Sequence, residues 1–275
     1  MVAPKITAHC QVRNEQTWVW YALMSVVDYV DEVKVWDTGS TDRTVDIIHS
    51  IHHPKIKFKK AAPTPNETAL AAVRQEMIQE SDGFDWMMIL DGDEIWPEDS
   101  LIAVRQFLKL HWQEFDCVVT PTLNCVGDVF HISPPHAGRY HLLGRVGHYN
   151  IRFINLNIPG LHVANSPDRL LSYYDQNQIQ IQDRNPRHIT YLDSAYLHMT
   201  HLGRSFSRLN DKEVFWRGPK FKFELGLSLP GDFDYPKCFY LPRPQLVPSA
   251  WTRRSGWYIL NAAWQTPLKL IKRRL

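Results

Sequence analysis

The chain is poor in several features that would place it quickly, and each absence excludes something. Its four cysteines in 275 residues, Cys10, Cys117, Cys125 and Cys238, show no CxxC or other metal-ligating spacing. That argues against a zinc-thiolate site and fits reduced thiols in a cytosolic setting. The most apolar early run, WVWYALMSVV, is ten residues, too short to span a bilayer. Residues 1–7 already contain Pro4 and Lys5, so no signal peptide is expected and the protein reads as soluble or at most peripheral to the inner face of the membrane. There is no internal repeat and no low-complexity run. Nor is there a Gly-rich, basic phosphate loop near the N-terminus, where HCQVRNE stands, which counts against a nucleotidyltransferase. Finally, residues 235–275 carry eight Lys or Arg and no Asp or Glu, leaving 23 basic against 29 acidic residues before them. An acidic body with a basic tail points to an anionic surface or partner for that end.

What is present suffices for a large core, since 44% of residues are hydrophobic and 12% aromatic. The first 120 residues alternate between two periods. KITAHC, EVKVWD, KIKFK, WMMIL and FDCVVTPTL read as strands. Between them, TWVWYALMSVVDYV, DRTVDIIHSI, NETALAAVRQEMIQES and EDSLIAVRQFLKL read as helices, the third with Asn66 as N-cap and Leu70, Val73 and Met77 inward. Such alternation predicts an α/β fold with a mostly parallel, Rossmann-like central sheet and helices on both faces. WMMIL, apolar on both sides, should be central. Beyond about residue 125 the pattern loosens, and residues 230–248, with five prolines, read as an extended strap.

In such sheets ligands bind beyond the carboxyl ends of the strands. Three polar clusters fall there: HCQVRNE, DTGSTD and DGDE. They should converge. The last gathers Asp91, Asp93 and Glu94 within four positions, with Gly92 permitting a tight turn. Carboxylates repel one another and are costly to bury unpaired. Either they sit in a solvated turn opening a helix, or they hold a hard divalent ion such as Mn²⁺ or Mg²⁺, which takes oxygen ligands. Glu94 itself reads either as support for that site or as a surface charge.

The order and spacing of RNE at 13–15, VWDTGSTDRT at 35–44, Arg74 within ALAAVRQEM and ILDGDE at 89–94 resemble glycosyltransferase family 2 on a GT-A fold. The likeness is to the subgroup that includes bacterial cell-surface and lipopolysaccharide sugar transferases. The resemblance covers roughly residues 5–100. It implies a transferase using a nucleotide-sugar donor, UDP- or GDP-linked, and a glycan, lipid-linked or other hydroxyl acceptor. Residues 8–15, from Ala8 to Arg13 and Glu15, would line the nucleoside pocket, with Asp37 facing base or ribose and Arg74 approaching the nucleotide. Thr38 stands where many relatives carry a second aspartate, and Asp42 would cap the helix beginning near Arg43. Asp91 and Asp93 would hold the metal. A third ligand would come from YLHMTHLGRS, from His198 or His201. The general base is less legible. RFINLNIPGLHVAN resembles a family stretch ending in His-Glu, but here His162 is followed by Val163. Another residue, with Asp128 and Asp168 the nearest candidates, would act in its place, or the acceptor site has diverged. A sugar-nucleotide-binding protein without transferase activity and a transferase acting on modified DNA bases are the competing readings.

This divides the chain into a GT-A domain over 1–205, with nucleotide-binding (1–100) and acceptor (101–205) halves, and a C-terminal extension over 206–275. The tail WTRRSGWYILNAAWQTPLKLIKRRL admits three readings: a helix docked on the domain, a peripheral membrane contact through 251–275, or nucleic-acid binding. Pro267 is expected to prevent one uninterrupted helix.

Overall fold

The computed structural model describes residues 3–166, 171–215 and 217–274; Asp168 lies outside them. Strands β1 (Ile6–Val12), β2 (Glu32–Asp37), β3 (Ile56–Lys60) and β4 (Trp86–Asp91) alternate with helices α1 (Val19–Val26), α2 (Thr44–His49) and α3 (Glu67–Gln79). The short β5 (Glu94–Ile95) follows, then α4 (Glu98–His111), β6 (Cys117–Val126) and β7 (Asp128–Ile132). A hairpin of β8 (Tyr140–Leu142) and β9 (Arg145–Gly147) leads to β10 (Tyr149–Asn155), and a second hairpin pairs β11 (His162–Ala164) with β12 (Ser172–Tyr174). The chain ends with β13 (Ile189–Tyr191), β14 (Tyr196–His198), α5 (Arg208–Glu213), β15 (Leu227–Ser228) and α6 (Gly256–Arg274).

The main sheet runs β15-β7-β6-β10-β4-β1-β2-β3. Its β4-β1-β2-β3 half is parallel, and β10 enters antiparallel between β4 and β6. The α/β class is thus the one that the strand–helix alternation predicts, but the sheet is mixed: it is parallel through β4-β1-β2-β3 and antiparallel from β4 outward through β10, β6, β7 and β15. WMMIL is indeed interior, with Trp86 through Leu90 no more than 5% exposed. Each such side chain removed from water is worth about 1.5–3 kcal/mol. Asn66 caps α3 by accepting the Ala69 N–H at 2.9 Å, and α4 buries Leu101, Val104 and Leu108 on one stripe. The four cysteines are buried thiols.

The ten-residue β6 does two jobs. Its first half pairs with β10 and β13, and its second half with β7 and β14. Strand β14 also pairs antiparallel with β5, setting His198 opposite Glu94 on one side and Asn124 on the other. Register alone therefore delivers a histidine to the acidic turn. Beneath it Trp96 stacks on Tyr196 with ring centroids 4.5 Å apart, a dry floor for the charged groups above.

The prolines of 230–248 form an irregular strap with one 3-10 turn at Lys237–Phe239. It is tied across α1, where Tyr21 donates to the Pro248 carbonyl at 2.8 Å and accepts the Ala250 N–H at 3.1 Å. The tail corrects one expectation: α6 runs unbroken through Pro267. A proline inside a helix forfeits one N–H bond. Here Thr266 holds the turn, donating its hydroxyl to the Ala262 carbonyl at 2.7 Å and accepting the Leu225 N–H at 2.9 Å. Among the described residues no helix is long and apolar enough to cross a membrane.

Candidate active site

The loops after β1 and β2 are stitched together by short side chains. Asn14, at φ +53°, takes a left-handed conformation that asparagine tolerates better than most residues. There its N–H donates to Ser40 Oγ at 2.8 Å and its Oδ1 accepts the Thr41 N–H at 2.7 Å. The Glu15 N–H donates to Thr44 Oγ1 at 2.7 Å. Asp37 is buried and accepts the Gly39 and Ser40 N–H groups at 3.2 Å. Thr38 is buried too, donating to the Val12 carbonyl at 3.1 Å. Asp42 accepts the Thr44 N–H at 2.9 Å, just ahead of α2. Gly92 ties the third loop to the first by close approach: a Cβ there would lie 2.9 Å from Glu15 Cγ and 3.0 Å from Val12 Cγ1. The requirement is space, rather than the turn geometry expected from sequence. The three polar clusters converge.

Around the acidic turn, positive and negative groups alternate. Asp91 meets Arg74 at 3.3 Å and Arg152 at 3.4 Å. Arg152 also pairs with Glu94, and its Nε donates to the Tyr196 hydroxyl at 2.8 Å. Asp93 lies 2.8 Å from Arg204 and 3.4 Å from His198 Nε2. Behind them Glu15 pairs with Arg204 and Arg217, and Arg217 reaches the Arg13 and Asn14 carbonyls at 2.7 and 2.6 Å. Burial works to raise Asp91, but Arg152 and Arg74 outweigh it and hold its carboxyl at about 2. Asp93 follows the same logic: Arg204 and His198 hold it far below the carboxylate range against burial. Burial prevails at Glu94, pushed well above the usual range despite Arg152, and at Glu15, pushed up to about 7 despite Arg217 and Arg204. Burial also lowers His198, leaving the neutral imidazole that metal ligation requires.

Asp91, Glu94 and His198 present ligand atoms that all lie within 4.8 Å of one another. Both oxygens of the fully buried Asp93 lack a hydrogen-bond donor of regular geometry, so its charge is met by ion pairing alone. Two carboxylate oxygens and a neutral imidazole suit a divalent ion of the manganese or magnesium type, and these residues fit it. Glu94 thus joins the cluster directly, while Asp93 sits behind His198, against Arg204.

The other candidates separate. Arg74 reaches the cluster, and also Gln11 and Tyr173 at 3.4 Å. Arg13 lines a cleft of about 390 Å³ between Pro65 and residues 212–215 and 218–219. Ala8 does not line a pocket: it is fully buried mid-strand, between Val33 and Met88. His201 donates from Nδ1 to the Lys220 carbonyl at 2.6 Å and stands outside the Asp91–Glu94–His198 group. His162 belongs to the β11–β12 hairpin, stacked on Tyr174 and bonded to the Gly160 carbonyl at 2.8 Å. The following Val163 bonds by its N–H to Gln75 at 2.8 Å. Asp128 is buried and committed, accepting from Phe130 and Arg254 N–H groups at 3.0 and 3.1 Å and meeting His131 at 2.6 Å. It anchors the tail rather than facing the cluster. Sequence reading missed Arg152, Arg204 and Arg217. The signal was available in principle, because three carboxylates in four positions demand buried cations, and Arg152 is the charge within the apolar run IRFI of β10.

Beside Asp91 and His198 opens a cavity of about 680 Å³, walled by β6, β10, residues 220–222 and α6. Among the described residues that line it, Asp91 is the sole carboxylate.

A family model for glycosyl transferase family 2 matches residues 11–167. Among curated proteins, the SPbeta prophage-derived glycosyltransferase SunS of Bacillus subtilis (strain 168) is 31% identical over 120 residues, 43% of this chain. The same figures hold for glycosyltransferase SunS of Bacillus phage SPbeta, and the match spans 27% of those relatives' length. Similar solved structures include S. aureus TarS 1–349, at 14% identity and TM-score 0.45, covering 78% of this chain and 68% of that one. Glucosyl-3-phosphoglycerate synthase from Mycobacterium tuberculosis, in complex with Mn²⁺ and UDP-glucose, is 16% identical with TM-score 0.42, covering 76% and 75%.

Proposed function

The chain belongs to glycosyl transferase family 2, and from that premise we propose that it moves a sugar from a UDP- or GDP-linked donor onto a hydroxyl acceptor. Inversion at the anomeric carbon and dependence on Mn²⁺ or Mg²⁺ are part of the proposal. The observation that carries it is the Asp91–Glu94–His198 cluster, its ligand atoms within 4.8 Å, at the carboxyl end of β4 where the β1 and β2 loops gather.

Asp91, Glu94 and His198 would hold the cation, with Asp93 behind His198. When bound, the cation neutralises charge on the departing diphosphate. Arg13, Glu15, Asp37 and Arg74 face or shape the nucleotide side. In the transfer, the acceptor oxygen bonds to the sugar C1 as the bond from C1 to the diphosphate oxygen breaks, its electron pair leaving with the diphosphate. The acceptor proton passes to a lone pair in the cavity. His201 offers one at Nε2, since its Nδ1–H is spent on the Lys220 carbonyl; burial and Lys222 hold this imidazole at about 3, so it relays the proton to water rather than keeping it. Val163 removes the carboxylate that the resemblance implies, and His201 answers that gap.

Asp91→Asn and Glu94→Gln should each lower transfer by about 10²-fold or more, and EDTA should abolish it reversibly in the unaltered protein. The assay is release of nucleoside diphosphate from a panel of UDP- and GDP-sugars with Mn²⁺ or Mg²⁺. Turnover indifferent to EDTA would refute the metal role. Tight donor binding without turnover on any acceptor would favour a sugar-nucleotide-binding protein.

The outer face of α6 supports a peripheral contact with an anionic membrane. Trp257, Leu260, Trp264, Leu268 and Ile271 are 53–73% exposed, and residues 256–274 contain no acid. Aromatic and aliphatic side chains with flanking cations suit a headgroup interface.

A further inference from the structure

Cavity charge is lopsided to a degree that the donor does not explain. Seven Lys or Arg side chains line it, from Arg139 to Arg273, against the one carboxylate of Asp91, in a chain whose net charge is only +2. Two are already matched, Arg152 by Glu94 and Arg273 by both oxygens of Glu224 at 2.6 and 2.9 Å. Lys269 donates to the Phe223 carbonyl at 2.8 Å, which leaves its charge unbalanced. Lys222 and Lys272 have no ion-pair partner among the described residues.

Like charges gathered in a partly buried space repel, and the fold retains them at a cost. Burial first, then neighbouring cations such as Arg273, hold Lys222 and Lys269 below the usual lysine range, with only Glu224 opposing. These lysines interact with Glu224 and Arg273, not with the acidic cluster, so they belong to a different end of the cavity. Nor does the nucleotide side reach there: Arg13, Asp37 and Arg74 do not line it. At about 680 Å³ the space falls within the range of small-molecule sites and exceeds the need of a diphosphate.

We propose that this cavity is the acceptor site and that its acceptor carries a phosphate group, held by Lys222, Lys269 and Lys272 while the reacting hydroxyl faces Asp91. This rests on the transferase reading above. A phosphate presents dense charge and several acceptor oxygens, which unpaired ammonium groups satisfy. The same chemistry arises from a soluble sugar phosphate or from a phosphorylated lipid headgroup. Because α6 turns its lysines to the cavity and its tryptophans outward, both sources can reach the site.

The test uses the full chain in EDTA, so that phosphate cannot bind through a cation. Inorganic phosphate is titrated at constant ionic strength against chloride, following the thermal midpoint, which rises when a ligand binds the folded state alone. Phosphate should raise the midpoint. The Lys222→Gln/Lys272→Gln variant, which relieves repulsion and should fold at least as stably, should weaken phosphate binding about tenfold or more. Equal response to phosphate and chloride, or undiminished binding by a folded variant, would overturn the proposal. If the double variant does not fold, Lys272→Glu, at an exposed position, carries the same comparison. Co-sedimentation with vesicles of phosphatidic acid in phosphatidylcholine separates the sources. Loss of vesicle binding in the variant identifies the lipid headgroup, and lysine-dependent phosphate binding without vesicle binding identifies the soluble one. Donor binding is measured alongside with Mn²⁺. Donor binding without phosphate binding sinks this inference alone, whereas phosphate binding without donor binding sinks the transferase reading.

Discussion

Replacing Gly127 with alanine should loosen the tail from the body, and the structure sets the size of the effect. Gly127 joins β6 to β7 at φ +79°, and a Cβ there would sit 2.5 Å from Tyr258 Cε1, 2.8 Å from its Cζ and 3.1 Å from Arg254 Cδ. Carbon atoms in good contact stand about 3.5–4.0 Å apart, so the ring must retreat by about 1 Å. Tyr258 cannot retreat freely. Its hydroxyl donates to the Lys222 carbonyl at 2.9 Å and accepts the Glu224 N–H at 3.2 Å, and a shift of that size breaks both. The left-handed backbone adds roughly 1–2 kcal/mol for any residue with a Cβ, and overpacking adds about 1–3 kcal/mol. A loss of about 3 kcal/mol lies in the middle, equivalent to about 6–12 °C in the midpoint for a chain of this size. Gly256→Ala is the matched control, because nothing lies within 4 Å of a Cβ there. Hydrogen exchange read along α6, with the thermal midpoint, is the assay. Amides of residues 258–266 should lose protection in Gly127→Ala, and the phosphate response should fall because α6 supplies one cavity wall. Unchanged protection with a midpoint within about 1 °C of the parent would show that the Gly127–Tyr258 contact does not dock the tail.

Other perturbations read the charge lattice. Arg152→Met takes a donor from both the fully buried Glu94 and the Tyr196 hydroxyl and should cost about 1–3 kcal/mol in EDTA, by urea unfolding; Mn²⁺ should then raise the midpoint of the variant more than that of the parent. An equal manganese response in both would show that the cation does not meet Glu94. His9 is buried, bonded to Ser81 at 2.8 Å, and held at about 3 by burial and by Lys34. The unfolded chain protonates this residue below about 6.5 and the folded chain does not, so stability is lost as pH falls from 6.5 toward 3. At pH 5 the loss is about 2 kcal/mol relative to neutral pH. His9→Gln should flatten the stability–pH curve by that amount, and an unaltered slope would mean that His9 is protonated in the fold.

How much of this was legible follows from the range of each interaction. Strand β4 announced itself because five apolar residues in a row, unbroken by charge, leave few alternatives to a buried strand. Asn66 announced a cap because the capping bond closes within three residues. The convergence of the three polar loops followed from parallel topology, which fixes where strand ends go. What failed was set by distance along the chain. Ala8 lies near the right motif but too early in its strand, and a pattern that locates a strand to within a few residues does not say which residue reaches the surface. Asp128 resembled a free loop carboxylate because its partner Arg254 lies 126 residues away. Arg204 and Arg217 neutralise Glu15 from 189 and 202 positions downstream, so nothing near RNE signalled that its glutamate would be buried. Pro267 is the instructive case. Local chemistry forbids one hydrogen bond at that position, yet the helix continues, because Thr266 is clasped by Leu225 and Arg273 by Glu224. A single lost bond is a small cost beside tertiary anchoring at both sides of it, so a local rule yields where packing has already decided the path. The same anchoring turns the lysines of α6 toward the cavity and its tryptophans away from it, which composition alone had left as competing readings of one tail.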